Sequence, residues 1–367
     1  MTAKALAEHN IKEIKTLRVS SRYTRTIGRN SRIKNHGGGP NTQIRAIITD
    51  HDAVGWGPSH KPEAEMPNLL GRNVAELFDP EMGVIADEAL PLDYALHDLA
   101  GVILNLPVHK MIGGKGETAV PCYDGAIYMD DLTPEEAPRG VGIIIENCRD
   151  DYEMGFRDFK LKIGRGYQWM SPEEGFQRDI DVTRAVHENF PDCRILVDAN
   201  DAYTCDDMIR YMDAVAECSI FWIEEPFREN RDDLIKLKEF LAKRSPDTLV
   251  VDGESRPDVD FLLELAAEKL LDALQMDISG LGFTPWRRVM PRLIKVGVPA
   301  APHSWGDPLK VHYSAQLAAG LGNALMVEGI PSTTHGADLG LYKLEEGILH
   351  VPKDAPGFGM KLSEVDG

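Results

Sequence analysis

The chain lacks a CxxC pair, a run of about 18 apolar residues and an excess of positive charge, and each absence removes a class of function. Its five cysteines (Cys122, Cys148, Cys193, Cys205, Cys218) are odd in number and widely spread. They suit reduced thiols in a cytoplasmic protein, and give neither a disulfide framework nor a zinc site. Without a long apolar run, no membrane span is expected. Met1 to Lys15 has no apolar core or cleavage signal, so no secretory leader is expected either. Lys and Arg total 40 against 59 Asp and Glu, a net charge of −19. Nucleic acid and anionic membrane surfaces are therefore poor partners, whereas a small carboxylate held in a locally positive site is not excluded.

What is present divides in two. A length of 367 residues suits about two domains. Residues 10–60 read as β structure, with Ile11 to Val19 alternating, a strand over Thr42–Thr49 and a short run to Gly55-Trp56-Gly57. A basic loop carrying Arg22, Arg25, Arg29, Arg32, Lys34 and His36 lies between them. Residues 63–112 read as helices, stopped at Gly113-Gly114. The first part, 1–115, is thus α+β. From Val120 onward, β-like runs alternate with amphipathic helical stretches. Eight candidate strands are Ala119–Tyr123, Phe159–Ile163, Arg194–Asp198, Ile220–Glu224, Leu249–Asp252, Ala273–Asp277, Pro299–His303 and Leu325–Glu328. Repeats of this length predict an α/β fold, a (β/α)8-type barrel over 116–334. The Pro/Gly-rich tail, 335–367, is expected to return to the first domain and complete it as a cap.

The strand ends carry the chemistry. Asp198, Glu224 and Glu254 end three successive strands, and catalytic groups of such barrels stand at that rim. Three converging carboxylates form a hard-oxygen site that suits Mg²⁺; a Ca²⁺ loop would cluster its ligands in one short segment, and none exists here. Asp252 competes with Glu254 as the third ligand. Lys160 and Lys162 lie two apart on one strand and share a face. Each is expected to depress the other's pKa, making one a usable base. His303 ends strand seven, with Asp277 on strand six to orient it. A lysine and a histidine flanking a metal-bound substrate suit removal of a proton next to a carboxylate, with the metal stabilising the enediolate. The basic loop reads equally as a solvated loop or as a lid that clamps an anion through residues such as Arg29. Trp56 reads as core or as a pocket wall.

The ordered set KxK, DAN, IEEP, GE, a strand-six Asp and a strand-seven His resembles the enolase superfamily, most of all its mandelate racemase-like branch, which includes acid-sugar dehydratases. Each motif alone has an ordinary explanation in surface charge, turns or caps; as a series at barrel spacing they do not. The resemblance implies Lys162 as the strand-two base with Lys160 beside it. It implies Asp198, Glu224 and Glu254 as Mg²⁺ ligands, a His303–Asp277 dyad, Glu328 touching the substrate carboxylate and Asn200 in the site. It implies a closed homo-oligomer and dehydration of an aldonate or aldarate to a 2-keto-3-deoxy acid. Alternatives are a racemase or epimerase using the same two bases, or a catalytically silent binder of sugar acids. Where the family often has Gly-Gly after strand six, this chain reads Gly280-Leu281-Gly282.

Overall fold

The computed structural model describes residues 2–59, 61–66 and 68–363. Parallel pairings start at Ala119–Ile127 and pass through Asp158–Lys162, Arg194–Asp198, Trp222–Glu224, Leu249–Asp252 and Ala273–Leu274. Parallel bridges Leu274–Ala300 and Ala300–Ala324 continue the series. Val327–Gly329 then pairs in parallel with Cys122–Asp124, so the pairings return to their start. Helices such as Pro172–Asn189, Arg231–Arg244 and Pro308–Leu321 connect successive strands. The expected strand Pro299–His303 is reduced to bridges at Ala300 and His303. Pro299 and Pro302 have no N–H to donate, which thins the ladder there. The expected strand Leu325–Glu328 is ordered as Val327–Gly329.

Alternation along these strands decides what faces the centre. Tyr123, Leu196, Trp222, Val251, Ala273, Ala301 and Met326 form one buried cluster, a residue from each strand except the second. The second strand supplies Lys160 at this level, its Nζ 5.5 Å from the Tyr123 ring centroid. The apolar plug is therefore closed by a lysine, and everything one step further along each strand faces the rim.

The N-terminal sheet runs in the order Ser332–His335, Ile11–Tyr23, Asn41–Thr49, Val54–Pro58, all antiparallel. Helix Asp93–Leu104 lies directly on its last strand. A Cβ at Gly55 would fall 2.2 Å from the Leu99 amide nitrogen, and one at Gly57 2.4 Å from the Tyr94 Cβ. The Gly-Trp-Gly segment thus exists to let strand and helix touch. Trp56 between them is 4 % exposed, donates its amide to Asp98 and its indole N–H to the Met360 carbonyl. It is a core residue; the reading of Trp56 as a pocket wall is corrected on that ground.

The tail makes two kinds of contact. Ile348–His350 pairs antiparallel with residues 119–121, at the start of the first parallel strand. Further on, the Phe358 amide donates to Asp98 Oδ1 at 2.8 Å, while Trp56 N–H takes Oδ2 at 2.9 Å. One buried carboxylate thus ties strand, helix and tail together. Asp98→Asn turns one acceptor into a donor facing an N–H, and is expected to destabilise the fold by about 1–3 kcal/mol. A denaturant midpoint equal to that of the parent would show that the tie contributes nothing.

Candidate active site

In parallel register, Lys162 pairs with Asp198 and Asp198 with Glu224, while Glu224 pairs with Val251. The inward row is therefore Lys162, Asp198, Glu224 and Val251, and Asp252 alternates outward. Gly253, at φ +124°, turns the chain so that Glu254 comes back to the rim. Asp198, Glu224 and Glu254 each bring an oxygen within 4.8 Å of the others. Asp252 instead accepts from the Gly253 amide and faces Glu225, Glu229 and Asp201, and burial beside those acids pushes its carboxyl well up. The turn at Gly253 thus separates Glu254 from Asp252, which the spacing alone left open.

Lys160 is fully buried, with Nζ 2.7 Å from Glu224, 2.8 Å from Glu328 and 3.6 Å from Asp198. Lys162 pairs with Asp198, its Nζ 5.2 Å from the Tyr128 ring centroid. The mutual depression expected of the two lysines is overruled. Burial and the Lys160 charge both push Lys162 down, but Asp198, Glu254 and Glu224 together outweigh them and its pKa lies above the ordinary value. Lys160 is raised further, because Glu224 and Glu328 overcome its burial. Glu224 moves up through burial and the adjacent Asp198 charge. Four carboxylates (Asp198, Glu224, Glu254, Glu328) face two lysines here, 4 − 2 = 2 negative charges in surplus when His303 is neutral. Such a surplus in a buried place calls for a divalent cation. Glu254 Oε2, buried and without a partner, offers a free ligand atom.

At the other end of the carboxylates, His303 Nε2 lies 3.3 Å from Glu254 and has no hydrogen-bond partner. Its Nδ1 donates to Asp277 Oδ2 at 2.8 Å. Against its burial, Glu254, Glu328 and Asp277 raise the imidazole to about 9. Asp277 is tightly held: Oδ1 accepts from the Ser279 and Gly280 amides as the cap of helix Ile278–Leu281, and Oδ2 also takes Lys310 Nζ at 2.7 Å. Glu328 is fully buried, accepting from the Ser304 and Trp305 amides at 2.8 Å each. A Cβ at position 125 would lie 2.4 Å from its Oε1, so the facing Gly125 makes its room. Asn200, at φ +47°, donates its amide to Asp198 Oδ1 and leaves its own side-chain oxygen unpartnered.

Residues 24–40 fold over this rim. Ser31 Oγ donates to the Ala199 carbonyl at 3.0 Å and Arg32 to the carbonyls of Asn200 and Asp201. Trp169 Nε1 and Gln168 Nε2 donate to the carbonyls of Asn30 and Ser31. The loop is thus a docked cover, which settles it against the solvated alternative. Its cations, however, are turned to the protein. Arg29 pairs with Glu135 at 2.5 Å and lies over the Trp169 ring, so its reading as an anion clamp is corrected. Aromatic rings gather beside Lys162, whose Nζ faces Tyr128: Tyr128 stands 4.8 Å from Trp305 and 4.6 Å from His36, and Tyr23 stacks on Trp305 at 5.3 Å, centroid to centroid. Gln275, whose Nε2 donates to Glu224 at 3.1 Å, is a further site residue without an assigned role in the sequence reading. It sits two residues before Asp277 on the same strand face, a spacing that marks it. Lys310, on a helix far along the chain, has no such mark.

Residues 144–365 match the family described as Enolase C-terminal domain-like. The chain belongs to the mandelate racemase/enolase superfamily. A galacturonate dehydratase from a Geobacillus species, solved with D-galacturonate and 5-keto-4-deoxy-D-galacturonate, is 32% identical with a TM-score of 0.90, over 98% of this chain and 95% of that one. A mandelate racemase/muconate lactonizing protein from Geobacillus, complexed with magnesium and tartrate, is also 32% identical, with a TM-score of 0.91 over 98% and 94% of the two chains. The D-xylonate dehydratase of Haloferax volcanii is 24% identical over 354 residues, 86% of this chain and 82% of that protein. Superfamily members thus include sugar-acid dehydratases across nearly the whole length of this chain. No helix among the described residues is long and apolar enough to cross a membrane.

The choice between Glu254 and Asp252 can be measured directly. Glu254→Gln is expected to weaken Mg²⁺ binding by about 10- to 100-fold in calorimetric titration, and Asp252→Asn to leave it within a factor of about three. The reverse order would move the third ligand to Asp252.

Proposed function

We propose that this protein is a Mg²⁺-dependent dehydratase of a sugar acid. The observation that carries the reading is the placement of Lys162 at the Asp198 end and of His303 Nε2 at the Glu254 end of one carboxylate cluster. In this reading the ring of parallel strands, 116–334, is a (β/α)8-type barrel, capped by 1–115 with 335–367. Asp198, Glu224 and Glu254 would hold the cation, which when bound draws charge from the substrate carboxylate and makes the neighbouring C–H easier to ionise.

The chain's own groups do the rest. Lys162 and His303 reach an α carbon from two sides, and one of them takes its proton, according to the α configuration. The C–H electron pair becomes the new C=C bond as the β C–O bond breaks. His303 gives that oxygen the proton on Nε2, and water leaves. Protonation of the enol at the β carbon gives the 2-keto-3-deoxy acid. Asp277 holds the imidazole so that Nδ1 keeps its proton and Nε2 is the working nitrogen. Lys160 and Glu328 neutralise each other beneath, and the aromatic cover excludes water. The likeness to a galacturonate dehydratase supports the sugar-acid substrate.

Incubation with a sugar-acid panel and Mg²⁺ in D₂O tests the proposal. Keto acid is the expected product. Exchange or inversion at the α carbon without keto acid would make the protein an epimerase, and binding with neither a silent homologue.

A further inference from the structure

The cover has three arginines and one lysine, with Arg22 just before it, yet each has a partner within the protein. Arg25 forms a double hydrogen bond with buried Asp151, at 2.8 and 2.6 Å. Arg29 and Lys34 share Glu135, at 2.5 and 2.6 Å. Arg32 spends its donors on the Asn200 and Asp201 carbonyls and lies over the Tyr167 ring at 4.9 Å. Arg22 donates to the Ser21 carbonyl at 2.8 Å. The basic character of this segment is a docking device, not a ligand site.

What the cover adds to the aromatic wall beside Lys162 is uncharged. His36, packed between Tyr128 and Trp305, has Nδ1 2.7 Å from the Gly28 carbonyl, which can only accept, so Nδ1 must carry the proton. Burial, with Lys162 nearby, lowers its pKa and keeps it neutral. Its other nitrogen is then a hydrogen-bond acceptor. The Tyr23 hydroxyl is spent on the Gly306 carbonyl at 2.9 Å. An aromatic wall offers its rings to the C–H face of a sugar, and an acceptor nitrogen welcomes a hydroxyl donor. An ionised carboxylate has only acceptors; here it would lose its water and face a lone pair.

Resting on the sugar-acid dehydratase reading, we infer that the substrate carries a single carboxylate, an aldonate or a uronate, and that the docked cover with its Tyr23–His36–Tyr128–Trp305 wall rejects the matching aldarate. This narrows the substrate class, because the sequence alone admits both aldonates and aldarates.

The test compares matched six-carbon acids of the galacto, gluco and manno series: aldonate, uronate and aldarate, each with Mg²⁺. A monoacid is expected to exceed its aldarate by about 100-fold or more in kcat/KM. An aldarate within tenfold of the best monoacid overturns the inference while leaving the dehydratase reading intact. If no acid is turned over, that reading fails, and the inference is still decided by binding. The Mg²⁺-loaded protein should gain thermal stability from monoacids, and equal or greater gain from aldarates overturns it. Four-carbon diacids such as tartrate are too short for the comparison. His36→Arg supplies the missing cation and is expected to narrow the monoacid-to-aldarate ratio at least about tenfold. An unchanged ratio in the folded, Mg²⁺-binding variant would remove the wall from the explanation.

Discussion

His303→Asn is expected to lower keto-acid formation by about 10²- to 10⁴-fold, the range lost when a positioned general acid or base is removed. Asparagine keeps a polar group near Asp277 but cannot give a proton to a departing hydroxyl. Lys162→Ala is expected to lose a similar factor. The two variants differ in what they leave behind. If Lys162 takes the α proton, His303→Asn continues to exchange α hydrogen with D₂O and Lys162→Ala does not. If His303 does both tasks on one face, His303→Asn loses exchange and elimination together. Far-ultraviolet circular dichroism should match the parent in both variants, since neither residue closes the apolar plug. Keto-acid formation at parental rate in either one removes that residue from the chemistry.

The placement of these residues was legible in sequence because a parallel strand is buried on both faces, so a charged residue at its end is conspicuous. Lys160, Lys162, Asp198, Glu224, His303 and Glu328 all stand where alternation from the central cluster puts them. Glu254 was ambiguous against Asp252 because the deciding event is a backbone turn at Gly253, outside the strand period. The two weakest expectations concern residues whose partners lie far along the chain. Trp56 is held by Asp98 and Met360, and Arg29 by Glu135, and neither partner can be read from local pattern. The two lysines depart from expectation for a related reason: each responds to every charge within reach, and the carboxylates outnumber the lysines.

The largest expected effect on stability comes from Lys160→Met. The side chain is fully buried and lies within 4 Å of Glu224, Glu328 and Asp198. Methionine fits the space but leaves those acids uncompensated, an omission that costs about 3–5 kcal/mol when one partner of a buried pair is removed. The loss should depend on pH, and the sign follows from Glu328. In the parent, Lys160, His303 and the Ser304 amide overcome burial and hold Glu328 down at about 2. Its contribution is therefore present above the ordinary glutamate pKa of about 4.3 and is lost only as pH falls through its folded value. In Lys160→Met the main lowering influence is gone and burial dominates, so the folded pKa rises above the unfolded one. That variant keeps its stability in acid and loses it as pH rises. The gap between variant and parent, read by urea unfolding, should accordingly be smaller at pH 5 than at pH 8. Adding Glu328→Gln to Lys160→Met removes the stranded charge and should recover part of the loss at pH 8, giving a coupling that a double-mutant cycle isolates. A loss below about 1 kcal/mol, constant between pH 5 and 8, would show that Lys160 is not what neutralises the acids beneath the rim.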